Sequence, residues 1–399
     1  MPDLLADIAD VGRDPRRGGY SRHGFDRAEL EPREWFTGEA TRRGLDVRTD
    51  RNGNLWAWWG TPGPDAVVTG SHLDSVPGGG AFDGPLGVTT ALDAVDALRA
   101  KGFTPSRPFA VVVFAEEEGG RFGVPCLGSR LLAGTIDADV ARRLSDPDGV
   151  TLAEAVRAAG LDPARLGRDD DALATIGRFV ELHVEQGRGL VEVDAPVGVA
   201  SSILAHGRWR FTFTGEGNHA GATLLADRRD PMLPASSLVL AARRAASAVD
   251  GARATVGRIV PNPGGTNVIA STVDVWLDAR AADTPRARAV VEEITAAAHT
   301  AAADEGCTVA VTEESYGDTV HFDPALRDSL ADTLGGVPAL PTGAGHDAGI
   351  LAARVPTAML FVRNPTGVSH APEEYAEPAD CAAGVVALAT VLARLAGER

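Results

Sequence analysis

The fold is decided by residues 66–114, which read AVVTGSHLDSVPGGGAFDGPLGVTTALDAVDALRAKGFTPSRPFAVVVF. Short apolar runs at 66–70 and 109–114 predict two buried strands. Between them, residues 87–100 carry apolar side chains at the spacing of one helix face, and Gly102 follows as a stop signal. A strand, a helix and a second strand in this order are typical of a parallel sheet, so the sequence predicts an α/β fold.

A different pattern begins near residue 208. Alternating apolar and polar residues at 210–214 predict a half-exposed antiparallel strand. Further elements are expected beyond it, with helices at 233–247 and 285–305 and strands at 254–259, 274–278 and 308–314. The α/β pattern then resumes and ends in a helix. We therefore predict a main domain formed by residues 1–207 and 319–399, with residues 208–318 inserted as a separate α+β domain.

The composition excludes several classes of partner. With 38 basic and 55 acidic side chains, the formal net charge is −17, whereas proteins that bind nucleic acid or anionic membranes need basic surfaces. No uninterrupted apolar run reaches the length of about eighteen residues that predicts a membrane span, and no signal peptide is indicated. The three cysteines include no C-x-x-C pair, which excludes a thiolate zinc site and favours the cytoplasm.

Chemically active side chains follow the first two predicted strands. His72 and Asp74 come directly after the first strand, Asp83 lies in the glycine-rich loop beyond, and three glutamates at 116–118 follow the second strand. In open α/β sheets, ligands bind at the carboxyl ends of strands. Taken alone, the His-x-Asp pair is a weak signal and the glutamates could form a solvated acidic loop. The functional alternative is that a cation offsets their repulsion.

Two more strand ends carry a histidine. His183 closes a predicted strand at 178–184, and His370 lies in a proline-bounded loop after another at 357–362. A single histidine is more often structural than a ligand, but four strand ends that each carry His, Asp or Glu indicate a shared site. Imidazole and carboxylate ligands without thiolates suit Zn²⁺, Mn²⁺ or Co²⁺.

The motifs resemble those of the M20 metallopeptidase-like amidohydrolases, in particular the hydantoinase/carbamoylase branch. That branch contains N-carbamoyl-L-amino-acid hydrolases, bacterial-type β-ureidopropionases and allantoate amidohydrolases. The resemblance runs from about residue 19 to the C-terminus and is carried, in the family's order, by GSHLDSVP (70–77), FDG (82–84), EEG (117–119), ELHVEQG (181–187), GNHAG (217–221) and GAGHDA (343–348). It implies a metallopeptidase-like catalytic domain, with a mixed sheet flanked by helices, and an inserted α+β lid and dimerisation domain.

The resemblance also implies two divalent metal ions per subunit, either Zn²⁺ or Mn²⁺/Co²⁺. One ion would be bound by His72, Asp83 and His183. The second would be bound by Asp83, Glu118 and His370, so that Asp83 bridges the two ions. A histidine at position 183, where other M20 enzymes have a carboxylate, is typical of this branch.

Catalytic roles follow from the same resemblance. Glu117 would be the general base that activates water, and Asp74 would orient His72. Paired metals lower the pKa of water and polarise a carbonyl, and a nearby carboxylate can pass a proton to the leaving nitrogen.

Other residues would bind the substrate. Arg280 and Asn267 would bind its carboxylate, and an arginine fork suits that task. Gln186 and His346 would lie beside the metals, the latter in a glycine-rich loop that lines the site in relatives. His219 would polarise the carbonyl oxygen and would reach the site from a partner subunit, which implies a homodimer with a closing lid.

The leading hypothesis is hydrolysis of the C–N bond of an N-carbamoyl or related N-acyl L-amino acid. Allantoate or another ureido acid is the second candidate. A peptidase is disfavoured by His183, and a non-catalytic metal-binding relative is disfavoured because Glu117 and all five ligands are present. A di-metal phosphoesterase is a further alternative, which its product would distinguish, because it would release phosphate and not ammonia.

Overall fold

The chain forms two compact units in a computed structural model that describes residues 3–397. One unit consists of the residues up to Ser202 together with those from His321 onward, and the other of Ile203–Val320. The predicted limits of the inserted domain, 208 and 318, lie a few residues inside the second unit. The difference arises because strand Ala205–Thr214 begins before the alternating pattern becomes visible in the sequence.

The strands, numbered in chain order, are β1 (Asp46–Thr49), β2 (Leu55–Trp59), β3 (Ala66–His72), β4 (Phe109–Phe114), β5 (Ile176–Val184), β6 (Val197–Ile203), β7 (Ala205–Thr214), β8 (Asn218–His219), β9 (Arg253–Asn262), β10 (Val268–Ile269), β11 (Thr272–Ala281), β12 (Thr308–Gly317), β13 (Val320–His321), β14 (Ala339–Thr342) and β15 (Thr357–Val362). The helices are α1 (Asp3–Asp7), α2 (Arg27–Arg42), α3 (Pro85–Ala100), α4 (Leu127–Ala133), α5 (Ala138–Arg142), α6 (Leu152–Ala158), α7 (Asp170–Thr175), α8 (Gly189–Glu192), α9 (Met232–Ser247), α10 (Thr284–Asp304), α11 (Pro324–Thr333), α12 (Asp347–Leu351) and α13 (Pro378–Gly397).

The main sheet lies in the first unit and includes the strand order β1-β2-β4-β3-β5-β15-β6, with β14 paired to β6. Its central strands β4, β3, β5 and β15 run parallel to one another. The strands on either side, β2 and β6, run antiparallel to their neighbours. The predicted mixed sheet is therefore confirmed, with a parallel core.

Burial explains why β4 and β15 and the first half of β3 read as largely apolar runs. Every residue of β3, β4 and β15 is buried, as expected for parallel strands that are covered on both faces. Helices α3 and α13 pack against each other, and they also contact β3 and β15 respectively. The predicted elements of residues 66–114 are thus confirmed, although α3 begins at Pro85 rather than at residue 87 because proline is favoured in the first turn of a helix.

Helix α13 is long and apolar enough to pass as a membrane span by length and composition. Asp380 and Arg394 interrupt the apolar sequence of this helix, so a search for uninterrupted apolar runs does not detect it. More than half of its most apolar window is buried, against α3 and β15 among others. These contacts are those of a core helix.

The second unit contains a four-stranded antiparallel sheet in the order β12-β7-β11-β9. Residues of β7 and β11 alternate between buried and more exposed, which is the pattern of a sheet with one covered face. Helices α9 and α10 pack against each other and against this sheet. A separate two-stranded ribbon pairs β8 with β10.

Candidate metal centre and active site

The carboxyl ends of four parallel strands carry the predicted ligands. His72 is the last residue of β3, and His183 is the next-to-last residue of β5. Glu118 follows β4, and His370 follows β15 in the loop before α13. Because β4, β3, β5 and β15 are neighbours in one parallel array, their carboxyl ends lie along one edge. Residues from distant parts of the chain therefore meet there.

Asp83 lies at the centre of the cluster. Its Oδ1 atom is 3.6 Å from His72 Nε2 and 3.2 Å from His183 Nε2. Its Oδ2 atom is 3.4 Å from His370 Nε2, which in turn is 3.3 Å from Glu118 Oε2. The ligand atoms thus form two groups, His72–Asp83–His183 and Asp83–Glu118–His370, and each group is compact enough to hold a metal ion. Asp83 belongs to both groups.

Unsatisfied nitrogen atoms support a metal between these side chains. His72 Nε2 and His183 Nε2 are buried and have no hydrogen-bond partner among the described residues. On the other side of each ring, Nδ1 lies 3.1 Å from the carbonyl oxygen of Asp74 and 2.9 Å from that of Val184. An Nδ1–H that donates to a carbonyl leaves Nε2 as a bare lone pair, the arrangement found in metal-bound histidines. The residues therefore fit divalent metal binding.

A third possible group of ligand atoms is formed by Glu181, His183 and His346. Both oxygens of Glu181 are already hydrogen-bonded, because Oε1 accepts from the Ser71 hydroxyl at 2.9 Å and Oε2 from the Ala348 backbone N–H at 3.0 Å. Glu181 therefore acts as a buried acceptor that joins β3, β5 and α12.

Glu117 lies beside the ligand groups without belonging to either. Its Oε2 atom is 3.7 Å from His72 Nε2, and its Oε1 atom accepts a hydrogen bond from the Cys126 thiol at 3.1 Å. Burial raises the pKa of the Glu117 carboxyl well above its ordinary value, although His72 acts in the opposite direction. A carboxyl of raised pKa at the edge of a ligand cluster suits proton transfer.

The Asp74 carboxylate makes contacts that the sequence did not predict. Its two oxygens accept the backbone N–H groups of Glu117 and Glu118 at 3.1 and 3.0 Å. The main-chain carbonyl oxygen of Asp74 is 3.1 Å from His72 Nδ1, whereas the carboxylate Oδ1 is 3.6 Å from the same nitrogen. Asp74 thereby positions the glutamates after β4 as well as the histidine.

Gln186 and His346 both lie against the cluster. Gln186 Nε2 is 2.8 Å from Asp83 Oδ2, 2.9 Å from the Ser369 hydroxyl and 3.3 Å from His370 Nε2. The His346 ring is buried with its centroid 4.6 Å from that of His183. Burial, together with His183, holds the pKa of His346 well below its ordinary value, so its imidazole is neutral near pH 7.

The remaining predicted substrate binders belong to the second unit. His219 is exposed on β8, where it pairs with Val268, and the carbonyl of Asn267 accepts the Ala220 N–H at 2.9 Å. Arg280 lies on β11, and its guanidinium contacts both carboxylate oxygens of Asp278 at 2.8 and 3.1 Å. His219 and Asn267 are thus close neighbours, whereas Arg280 is on the other sheet of that unit.

Two residues of the site were missed in the sequence. Cys126 contacts Glu117, and Glu374 accepts the backbone N–H groups of Phe82 and Asp83. Cys126 carried no signal, because a single cysteine outside a motif reads as a small apolar residue. Glu374 followed His370 by four residues, but nothing in the sequence separated it from the exposed Glu373 beside it.

Comparisons with known proteins agree with this geometry. Residues 68–394 match the profile of peptidase family M20/M25/M40. An N-carbamoyl-L-amino acid amidohydrolase of Geobacillus stearothermophilus is 37% identical over 390 residues, which cover 96% of this chain and 95% of the relative. An allantoate amidohydrolase of Escherichia coli is 32% identical, with 100% and 98% covered.

A crystal structure of a hydantoinase/carbamoylase family amidase from Burkholderia vietnamiensis has a TM-score of 0.87 and 31% identity, and the match covers 99% of this chain and 96% of that one. Family, named relatives and fold thus point the same way as the ligand cluster. The chain belongs to peptidase family M20/M25/M40, and it is similar to solved structures of hydantoinase/carbamoylase family amidases.

Proposed function

We propose that the protein is a metal-dependent amidohydrolase that cleaves the C–N bond of an N-carbamoyl, or related N-acyl, L-amino acid. The proposal is carried by the ligand cluster around Asp83 with Glu117 beside it. Relatives that cover nearly the whole chain, including the one from Geobacillus, are named for this reaction. For a carbamoyl substrate, the products would be the amino acid, CO₂ and ammonia.

Two divalent ions, Zn²⁺ or Mn²⁺/Co²⁺, are proposed as the cofactor. One would be held by His72, Asp83 and His183, and the other by Asp83, Glu118 and His370. When bound, such ions polarise a carbonyl oxygen and lower the pKa of water. His72 Nε2 and His183 Nε2, which find no hydrogen-bond partner within residues 3–397, support this assignment.

Glu117 is proposed as the general base. Its Oε1 atom is held by the Cys126 thiol, which leaves Oε2 on the side of His72. There it takes a proton from the attacking water as the new C–O bond forms, and it returns that proton to the nitrogen as the C–N bond breaks. Asp74 supports this role because it fixes the backbone of Glu117.

Binding of the substrate's other groups is assigned to the remaining predicted residues. Gln186 and the neutral His346 would contact the substrate near the ligand cluster, and Arg280 with Asn267 would bind its carboxylate. His219 would donate to the carbonyl oxygen from a partner subunit. Residues 208–318 would then serve as the lid and dimerisation domain of a homodimer.

A cytoplasmic location is also proposed. The three cysteines are buried and unpaired, as is common in proteins of reducing compartments.

The second candidate is hydrolysis of allantoate or another ureido acid. The observation that favours it is the allantoate amidohydrolase relative, which matches the whole chain. Both substrate classes carry a ureido group on the carbon atom next to a carboxylate, so the same cluster and the same arginine would serve either.

The test is hydrolysis by the purified protein with Zn²⁺, Mn²⁺ and Co²⁺ in turn. Ammonia release is measured for carbamoyl L-amino acids and allantoate, and release of the free amino acid for formyl and acetyl L-amino acids. Turnover of a carbamoyl amino acid above that of allantoate supports the main proposal, and the reverse order supports the second candidate. A metal-loaded protein inactive on all of them would contradict both.

A further inference from the structure

Glu374 joins two loops that carry metal ligands. Its Oε1 atom accepts two hydrogen bonds, from the backbone N–H of Phe82 and from that of Asp83, each at 2.9 Å. The side chain is only 4% exposed. These bonds connect residues 291 and 292 positions apart in sequence.

The loop of Glu374 is also the loop of His370. A backbone bond from Glu374 N–H to the Ala371 carbonyl, at 3.1 Å, closes a turn directly after His370. The next side chain, Tyr375, packs edge-on against Phe82 with ring centroids 5.9 Å apart. Gly80 lies so close to the Glu374 carboxylate that a Cβ atom there would overlap it. Residues 80–83 and 370–375 are therefore fitted to each other on both sides of the hydrogen bonds.

The backbone conformation of His370 explains why the contact between Glu374 and residues 82–83 matters. His370 has φ +58°, in the left-handed region that residues other than glycine rarely adopt. It is also half exposed, so little packing holds it. A residue in that conformation persists only where its surroundings fix it, and the turn that ends at Glu374 is one such constraint.

Glu374 itself is outside the groups of described side chains whose atoms are close enough to bind one ion. Its effect on the cluster must therefore pass through the backbone of Asp83 and the turn after His370. We propose that Glu374 is a positioning residue for metal binding, which sets the placement of Asp83 relative to His370. The inference rests on the proposed metal site and adds to it a residue that neither binds the ions nor reacts.

The proposed positioning role requires that residue 374 place an acceptor oxygen at the distance of Glu374 Oε1. It does not require a negative charge there. Glutamine keeps that oxygen at the same distance, aspartate withdraws it by one methylene, and alanine removes it. Glu373 provides a matched control, because it is exposed and adjacent and carries the same charge.

The experiment is a titration of chelator-treated, metal-free protein with Zn²⁺ by calorimetry or against a chromophoric chelator. Outer partners of metal ligands are worth about 10–100-fold in affinity. Glu374→Ala and Glu374→Asp are expected to weaken Zn²⁺ binding by at least tenfold. Glu374→Gln should stay within about threefold of wild type, and Glu373→Ala within about twofold.

Circular dichroism of each metal-free variant checks the fold. If Glu374→Ala does not fold, the Zn²⁺ affinities of Glu374→Asp and Glu374→Gln are compared instead. Wild-type affinity in Glu374→Asp, or a loss in Glu374→Gln as large as that in Glu374→Asp, would overturn the proposal. The readout does not involve hydrolysis. A wild-type protein that binds Zn²⁺ but cleaves no ureido acid would therefore refute the proposed function and leave the role of Glu374 standing.

Discussion

Replacing Glu117 with glutamine is expected to abolish most hydrolysis while leaving metal binding intact. The two side chains have the same shape, so the buried position creates no cavity and the amide oxygen can still accept from Cys126. Glu117 belongs to neither ligand group around Asp83. The substitution thus removes the carboxylate's charge and its ability to take up and release a proton, and it leaves both ligand groups in place.

The size of the loss follows from what surrounds Glu117. General acid–base catalysis contributes about 10²–10⁴-fold. Two neighbouring groups are already engaged, because Asp74 accepts two backbone N–H groups and His72 directs Nε2 towards Asp83. We therefore expect kcat to fall by about 10³-fold, which at about 1.36 kcal/mol per tenfold change is a barrier increase of about 4 kcal/mol.

The assay combines ammonia release with measurement of bound metal. Glu117→Gln should retain the wild-type metal content and KM. The adjacent Glu118→Gln is the matched control and should lose metal affinity, since Glu118 Oε2 contacts His370 in the second ligand group. A kcat for Glu117→Gln within tenfold of wild type, at full metal content, would refute the assignment of the base.

Three further outcomes are expected. Arg280→Ala should raise KM for carboxylate-bearing substrates by about 10–100-fold, as for loss of a charge-assisted hydrogen bond of about 1.5–3 kcal/mol, and steady-state kinetics with an uncharged amide should show little change; equal losses on both would contradict its role. Cys126→Ala should lower kcat by about threefold to tenfold, because the hydrogen bond from the thiol to Glu117 is lost. Cys126→Ser keeps a donor and should stay near wild type; serine and alanine variants of equal activity would argue against that contact. Removal of metal with a chelator should lower the thermal midpoint in differential scanning calorimetry, since ligands that bind only the folded state stabilise it, and added Zn²⁺ should restore it; a midpoint that does not respond to metal would contradict the assignment of the cluster.

The parallel core of the sheet was predictable because its strands are buried on both faces. Residues 109–114 form an unbroken apolar run, residues 66–70 a largely apolar one, and the helix between them keeps its apolar residues on one face. The α-helices between residues 137 and 178 are short, with five to seven residues each, and capping side chains such as those of Asp137 and Thr151 begin them. Strands β1 and β2 were missed, since that segment shows no clear period in the sequence.

Part of the candidate site was also predictable from the sequence, and part was not. His72, Asp83 and Glu117 stand in motifs or at strand ends, where residue type and position together give a signal in the sequence itself. The roles of Glu374 and of the Asp74 carboxylate depend on bonds to backbone N–H groups of distant or neighbouring loops. A backbone N–H belongs to nearly every residue, so no side-chain pattern predicts which carboxylate will find it.

The place of β15 in the sheet has a consequence for biosynthesis. This strand comes last in chain order among those of the first unit, yet it lies between β5 and β6, in the interior of the sheet. Until the ribosome has made it, β5 and β6 present open edges with unpaired backbone groups, which are templates for aggregation. The histidine at position 370 is made later still. A chain that stops before β15 therefore combines an exposed sheet edge with an incomplete set of ligands.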